Sequence, residues 1–195
     1  MSKISEFPYT QVLIEQCPTC KICCNDHVYE GISGYNTINA IINKEIPDDL
    51  IKRLVIHRVP KSKIDKHAKS LLHFPKKNIL KNLTKIENGY YEFLAFPDLN
   101  AKCIFCGDKG CAYPKVKCFD CVIFPFYFED GKFLYYDWCP ETKLVESDPK
   151  LGDYYYKQTL KSTNEYAKYS KKHKDQYFRD LKKIKEKYNL KVIEI

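Results

Sequence analysis

The clearest fold signal in the chain is the stretch Val122-Ile123-Phe124-Pro125-Phe126-Tyr127-Phe128, then Glu129-Asp130-Gly131, then Lys132-Phe133-Leu134-Tyr135-Tyr136-Asp137-Trp138. An Asp-Gly pair between two aromatic runs is a strong short-range signal for an antiparallel β-hairpin. We therefore predict a hairpin over residues 122–138. Such a hairpin would bring Cys121, at its entry, close to Cys139, at its exit.

Upstream of this stretch the pattern predicts one more strand and two helices. The run from Tyr90 to Phe96 is aromatic-rich and lies between Asn88-Gly89 and Pro97, which suits a strand. A helix is predicted to begin at Pro47-Asp48-Asp49, and a second at about Lys61, ending before Pro75. Their predicted apolar faces are Leu50, Ile51, Leu54 and Val55 in the first helix and Ile64, Ala68, Leu71 and Leu72 in the second. His57, His67 and His73 are predicted as surface residues of these helical segments.

Beyond Ser147-Asp148-Pro149 the pattern becomes helical and basic. Tyr177, Leu181, Ile184 and Tyr188 are spaced as one apolar face of a helix, and the stretch from Ser162 to Glu165 has the spacing of a capping box. Between Lys157 and Lys187 there are eleven Lys or Arg and four Asp or Glu, so most of the net charge of +8 lies here. This tail could bind nucleic acid, but the regular apolar stripe favours a helix packed on the rest of the protein.

Composition excludes several classes of protein. The chain has 195 residues, 44% of them hydrophobic and 14% aromatic, which is typical of a folded protein and not of a disordered one. Neither a secretory leader nor an apolar run long enough to cross a membrane is visible, so we expect a soluble, cytoplasmic protein. In a reducing compartment the ten cysteines are better interpreted as thiolate ligands than as disulfides.

The cysteines fall into two close-spaced groups. The first is Cys17-x2-Cys20-x2-Cys23, with Cys24 next to it, and it matches the opening of a ferredoxin-type run that Cys139-Pro140 could complete. The second contains the pairs Cys103-x2-Cys106 and Cys118-x2-Cys121, a spacing close to that of zinc ribbons, with Cys111 left over. Iron and zinc both accept four thiolates, so these patterns leave the choice between a 4Fe–4S cluster and zinc open.

The cysteine order resembles that of the CxxCxxCC, or YkgJ-type, family of zinc- or iron-chelating proteins, which includes flagellin lysine N-methylases. The family pattern continues after CxxCxxCC with two further cysteines, then a cysteine followed by x-x-Phe-Pro-Phe, then Cys-Pro. The matching residues, over positions 17–140, are Cys17, Cys20, Cys23, Cys24, Cys103, Cys111, Cys121 and Cys139. The chain departs from the pattern at Lys117-Cys118 and Val122, and Cys106 and Cys118 are additions to the family set.

The resemblance implies metal binding more strongly than it implies an activity. We therefore expect an α+β fold with helices around a small antiparallel sheet and a cysteine-ligated metal site. Residues 1–150 would form the metal-binding domain, and residues 151–195 a basic, tyrosine-rich helical tail packed on it. A protein lysine N-methylase acting on a protein substrate is an alternative by analogy only, because no glycine-rich nucleotide loop follows a strand. A nucleic-acid-binding module that uses the tail is the other alternative.

Overall fold

The computed structural model describes residues 24, 35–63, 84–85, 90–97, 103–108, 110–113, 117, 119–129, 132–137, 139–140 and 142–194. In these residues the helices are α1 Tyr35–Ile42, α2 Asp48–Ile51, α3 Phe119–Ile123, α4 Thr142–Ser147 and α5 Pro149–Tyr188, with a 3-10 turn at Lys61–Lys63. The strands are β1 Val55–Pro60, β2 Thr84–Lys85, β3 Tyr90–Ala95, β4 Cys106–Gly107, β5 Gly110–Cys111, β6 Phe126–Glu129, β7 Lys132–Tyr135 and β8 Val192–Glu194. The predicted α+β class is confirmed.

The largest sheet of the described residues has the strand order β2-β3-β1-β8. Strand β1 is central, antiparallel to β3 on one side and parallel to β8 on the other. Its β-branched residues Val55, Ile56 and Val59 are all buried, which suits a strand covered on both faces. The sheet is therefore mixed, whereas a small antiparallel sheet centred on the 122–138 hairpin was expected.

Strand β1 also corrects the predicted helix after Pro47. Helix α2 makes a single turn and ends at Ile51, so Leu54 and Val55 do not extend its apolar face. The apolar residues at 54–56 fit a helical pattern and a strand equally, and pairing with β3 decides in favour of the strand. His57 consequently lies inside the sheet, where it is 5% exposed and its ring meets that of Phe93 edge to face. The prediction that His57 is a surface residue was wrong.

The strand predicted at residues 90–96 is confirmed as β3. It pairs along its whole length with β1, and its residues from Tyr91 to Ala95 are buried. The helix predicted from about Lys61 begins as a 3-10 turn, and its remaining residues, together with His67 and His73, lie outside the described residues.

The 122–138 hairpin is confirmed in its inner part only. Strands β6 and β7 pair from Glu129–Lys132 at the turn to Phe126–Tyr135 at the open end. Val122 and Ile123, which were predicted to extend the first strand, are instead in α3, where both are buried. Helix α3 and strand β6 both contact α5.

The predicted tail helix is confirmed as α5, which has 40 residues. Asp148 caps its first turn by accepting hydrogen bonds from the backbone N–H groups of Lys150 and Leu151. The capping box predicted at Ser162 is therefore wrong, since this residue lies within the helix and is fully buried. None of the helices in the described part of the chain, α5 included, is long and apolar enough to cross a membrane.

The inward stripe of α5 is confirmed: Tyr177, Leu181, Ile184 and Tyr188 are 3%, 2%, 4% and 8% exposed. They share one hydrophobic core with α1 and with the central strands β1 and β3. Tyr35 of α1 packs its ring against three tyrosines of α5, Tyr177 being the nearest at 4.9 Å between ring centroids. The placement of a domain boundary at residue 150 stays a prediction.

A group of charged side chains joins the tail to the sheet. Arg58 of β1 donates to the carboxylate of Glu92 on β3 at 2.7 Å and 2.9 Å, and Lys185 of α5 donates to the same carboxylate at 2.8 Å and 3.0 Å. On the other side of β1, Glu194 of β8 lies 3.5 Å from Arg58. The Glu92 side chain is only 8% exposed, so both of its cationic partners act in a partly desolvated setting.

Replacing Glu92 with glutamine should destabilise the protein by about 1–3 kcal/mol at neutral pH, because two partly buried cations lose their counter-charge. Burial alone would raise the pKa of Glu92, but hydrogen bonds from Lys185 and Arg58 outweigh it and hold the pKa below its ordinary value of 4.5. The stability that the Glu92 carboxylate contributes is therefore complete above about pH 4.5, and it is lost as the pH falls further. Urea unfolding of both proteins across this range should show the difference in stability shrinking at acid pH.

The matched control is Asp153→Asn, which breaks an ion pair with Lys157 whose two side chains are 68% and 59% exposed. Screening by water should keep this change within about 0.5 kcal/mol at every pH. An equal loss of stability in the two variants, or a Glu92→Gln difference that does not change with pH, would contradict the assignment.

Candidate metal centre

Two distant cysteine segments are joined by a backbone hydrogen bond. Cys24 belongs to the N-terminal group, and its carbonyl oxygen accepts a hydrogen bond of 2.8 Å from the N–H of Cys103. Both thiols are partly buried. Cys24 thus lies beside the second cysteine stretch, as ligation of one site by both groups would require.

Cys103 begins a tight turn that leads into the short hairpin of β4 and β5. The N–H of Cys106 donates to the carbonyl of Cys103 at 2.9 Å, which closes the turn over the CxxC spacing. Between them Phe105 is 4% exposed and packs edge to face on Phe96 and Tyr113. This aromatic anchor fixes the turn to the main core, against which Cys103 and Cys111 also pack.

Backbone N–H groups point at two of the sulfurs. The N–H of Phe105 interacts with the Cys103 sulfur, and the N–H of Tyr113 interacts with the Cys111 sulfur, each two residues after its cysteine. Both hydrogen bonds favour the thiolate, because they lower the pKa of the thiol that receives them. Such N–H···S bonds are typical of thiolates that hold iron–sulfur clusters or zinc.

The charges of four cysteines influence one another. The pKa of the Cys103 thiol is raised to about 12, first by burial and also by the neighbouring charges of Cys121, Cys24 and Cys111. Burial likewise raises the pKa of the Cys111 thiol to about 11, with contributions from Cys121 and Cys24. Like charges interact this way only over short distances, so these four thiols occupy one region of the protein.

A cation lies at this region as well. The positive charge of Lys117 lowers the pKa of Cys111 and so favours its thiolate form. The carbonyl of Lys117 accepts a hydrogen bond of 3.4 Å from the side chain of Asn36, in helix α1, which fixes this point of the loop. The sequence did not predict a cation beside the site, although Lys117 lies between the two CxxC pairs.

The other predicted ligands have different settings. Cys106 lies in β4 directly across from Cys111 in β5. Cys139 is buried after β7, and its carbonyl accepts hydrogen bonds from both the N–H and the hydroxyl of Thr142. Proximity of Cys121 and Cys139 stays a prediction. The ligands that lie outside the described residues are Cys17, Cys20, Cys23 and Cys118.

Within the residues that the structure describes, no group of three or more His, Cys, Asp or Glu side chains has the geometry to hold a metal ion. Cys24, Cys103, Cys111 and Cys121 do not form such a group in these residues. Their donor set nevertheless fits a soft metal, since it consists of thiols with backbone N–H groups aimed at two of the sulfurs.

The resemblance to the CxxCxxCC family stays a prediction after comparison with known proteins. No family model matches the chain, and neither a curated protein nor a solved structure shows significant similarity to it.

Proposed function

We propose that this chain is a metal-binding protein of the reducing cytosol that holds a 4Fe–4S cluster or zinc through cysteine thiolates. The proposed ligands near the described core are Cys24, Cys103, Cys111 and Cys121. The motif residues Cys17, Cys20 and Cys23, and Cys139 after the hairpin, are the proposed ligands for the remaining positions.

The observation that carries the proposal is the backbone hydrogen bond of 2.8 Å from Cys103 to Cys24, which joins two distant cysteine segments. Beside it, the backbone N–H groups of Phe105 and Tyr113 lower the pKa of the Cys103 and Cys111 thiols. A buried cysteine that served only as a small apolar residue would not need a hydrogen-bond donor at its sulfur. Here two cysteines of the second group, eight residues apart, each have a donor two residues further along the chain, and the charges of Cys24 and Cys121 act on both. This repetition supports a shared role as thiolates.

Proton release should accompany metal binding. Because burial raises the pKa values of Cys103 and Cys111 to about 12 and about 11, both are protonated thiols at neutral pH before metal binds. The ligand form is the thiolate, so loading must displace these protons. A bound iron–sulfur cluster would supply one-electron chemistry, and zinc would supply structural support. Phe105 and the core residues beneath it hold the sulfurs in place.

The test is metal analysis of the full chain purified without oxygen. We expect iron or zinc in near-stoichiometric amounts. Iron accompanied by acid-labile sulfide and broad visible absorption would identify a cluster, and a colourless protein with zinc would identify a zinc site. Protein that contains neither metal, and takes up neither from an anaerobic solution of iron and sulfide or of zinc, would refute the proposal.

A further inference from the structure

The hairpin of β4 and β5 sets two cysteines directly opposite each other. Cys106 pairs with Cys111, and Gly107 pairs with Gly110, in an antiparallel ladder. One residue further from the turn, the N–H of Ala112 donates to the carbonyl of Phe105 at 2.8 Å. Since hydrogen-bonded and non-hydrogen-bonded pairs alternate in such a ladder, Cys106 and Cys111 form a non-hydrogen-bonded pair.

This position brings the two side chains as close as a sheet allows. Across a non-hydrogen-bonded pair the Cα atoms are about 4.5 Å apart, and both Cβ atoms lie on the same face. A disulfide requires a Cα separation of about 4.4–6.8 Å, so the bond can form here without moving the backbone. Cys106 and Cys111 are each partly exposed, which gives a small oxidant access to them.

We propose that Cys106 and Cys111 are a reversible dithiol–disulfide pair, in which Cys106 captures Cys111 on oxidation and so removes one ligand from the metal site. The part of this inference that concerns the ligand rests on the proposed function, whereas the pairing itself rests on the ladder alone. It also gives a role to Cys106, which is an addition to the family set of cysteines.

Hydrogen peroxide is a sufficient oxidant for this step. One thiol sulfur attacks the peroxide, the O–O bond breaks, and a sulfenic acid and one water are formed. The sulfur of the second thiol then attacks the sulfenic sulfur, the S–S bond forms, the S–O bond breaks, and a second water leaves. In total, two thiols and one peroxide give one disulfide and two waters. A cellular thiol of the glutathione class reverses the reaction by exchange.

Peptide mapping can test the pair in the full chain. Lys109 lies between the two cysteines, so trypsin separates Cys103–Lys109 from Gly110–Lys115 unless a disulfide holds these peptides together. Metal-free protein is treated with an equimolar amount of peroxide, the remaining thiols are alkylated, and the digest is examined by mass spectrometry. We expect the linked peptides to be the main oxidised product, and reduction should separate them.

Variants identify the sulfur involved, because the first peptide contains Cys103 as well as Cys106. We expect the link to persist in Cys103→Ser and to fall at least about tenfold in Cys106→Ser and in Cys106→Ala. Two substitutions at position 106 guard against a folding defect in either one. Links that survive in both Cys106 variants, or no link in the metal-free chain, would overturn the inference.

Zinc-loaded or iron–sulfur-loaded protein should form the link at least about tenfold more slowly, because a metal-bound sulfur is not available to the oxidant. Equal rates with and without bound metal would remove Cys111 from the ligand set and overturn the proposed coupling. If the chain binds no metal, the proposed function fails, but the result with the metal-free protein still decides whether Cys106 and Cys111 pair.

Discussion

Replacing Cys103 with serine is expected to weaken metal binding and to lower the metal content of the purified protein. Structural zinc bound by four ligands contributes roughly 10–16 kcal/mol of apparent free energy, so one thiolate accounts for about 3 kcal/mol. That loss corresponds to about a hundredfold weaker binding. We expect the same result for Cys111→Ser, since both sulfurs receive a backbone N–H and both lie beside the other thiols. Metal content per chain after anaerobic purification is the measurement.

The matched control is Cys106→Ser, in the same hairpin and with similar partial burial. If Cys106 is the redox partner of Cys111 and not a ligand, this variant should keep the metal content of the unchanged protein. Loss of metal in all three variants would make Cys106 a ligand of a CxxC site with Cys103. Retention of metal in both Cys103→Ser and Cys111→Ser would show that these two cysteines are not metal ligands.

The sequence predicted those parts of the fold whose signals are local. The apolar stripe of α5 repeats over three turns between Tyr177 and Tyr188, so its inward face was predictable without a partner. The Asp130-Gly131 pair in the sequence likewise predicts which residues of β6 and β7 face each other. In both cases the information lies within a few residues of the structure that it specifies.

Prediction failed where a distant partner decides between two local possibilities. Val55 and Ile56 follow Ile51 with spacing that also fits a helix, and pairing with β3 and β8 makes them a strand. Strand β8 itself joins the sheet more than 130 residues after β1 and carries no turn signal that would associate the two. Val122 and Ile123 precede an aromatic run and yet lie in helix α3, which contacts α5.

The candidate site shows the same division. Cysteine spacing left Cys111 over, and it was the family resemblance that associated Cys24, Cys103, Cys111 and Cys121 as ligands, which stays a prediction. The donors to sulfur were not predictable, because the backbone N–H groups of Phe105 and Tyr113 leave no mark on residue identity. The pairing of Cys106 with Cys111 depends on the register of a short hairpin, which their spacing of five residues does not determine by itself.

Truncating Leu181 to alanine should lower the free energy of unfolding by about 2–5 kcal/mol, the range for removing a buried leucine and leaving a cavity. Leu181 is 2% exposed and lies in the same core as Ile38 of α1 and Leu94 of β3. Because this core is shared, loosening α5 should destabilise the sheet as well. Urea unfolding monitored by far-ultraviolet circular dichroism and by aromatic fluorescence should show one transition at a lower midpoint in both signals.

Leu160→Ala is the matched control, since Leu160 is in the same helix but is 37% exposed. It should change stability by no more than about 0.5 kcal/mol. If Leu181→Ala instead produced two separate transitions, one for the helix and one for the rest, residues from 151 onward would be an appendage. A single shifted transition would mean that the long basic helix is part of the core that supports Phe105, and through Phe105 the cysteine turn.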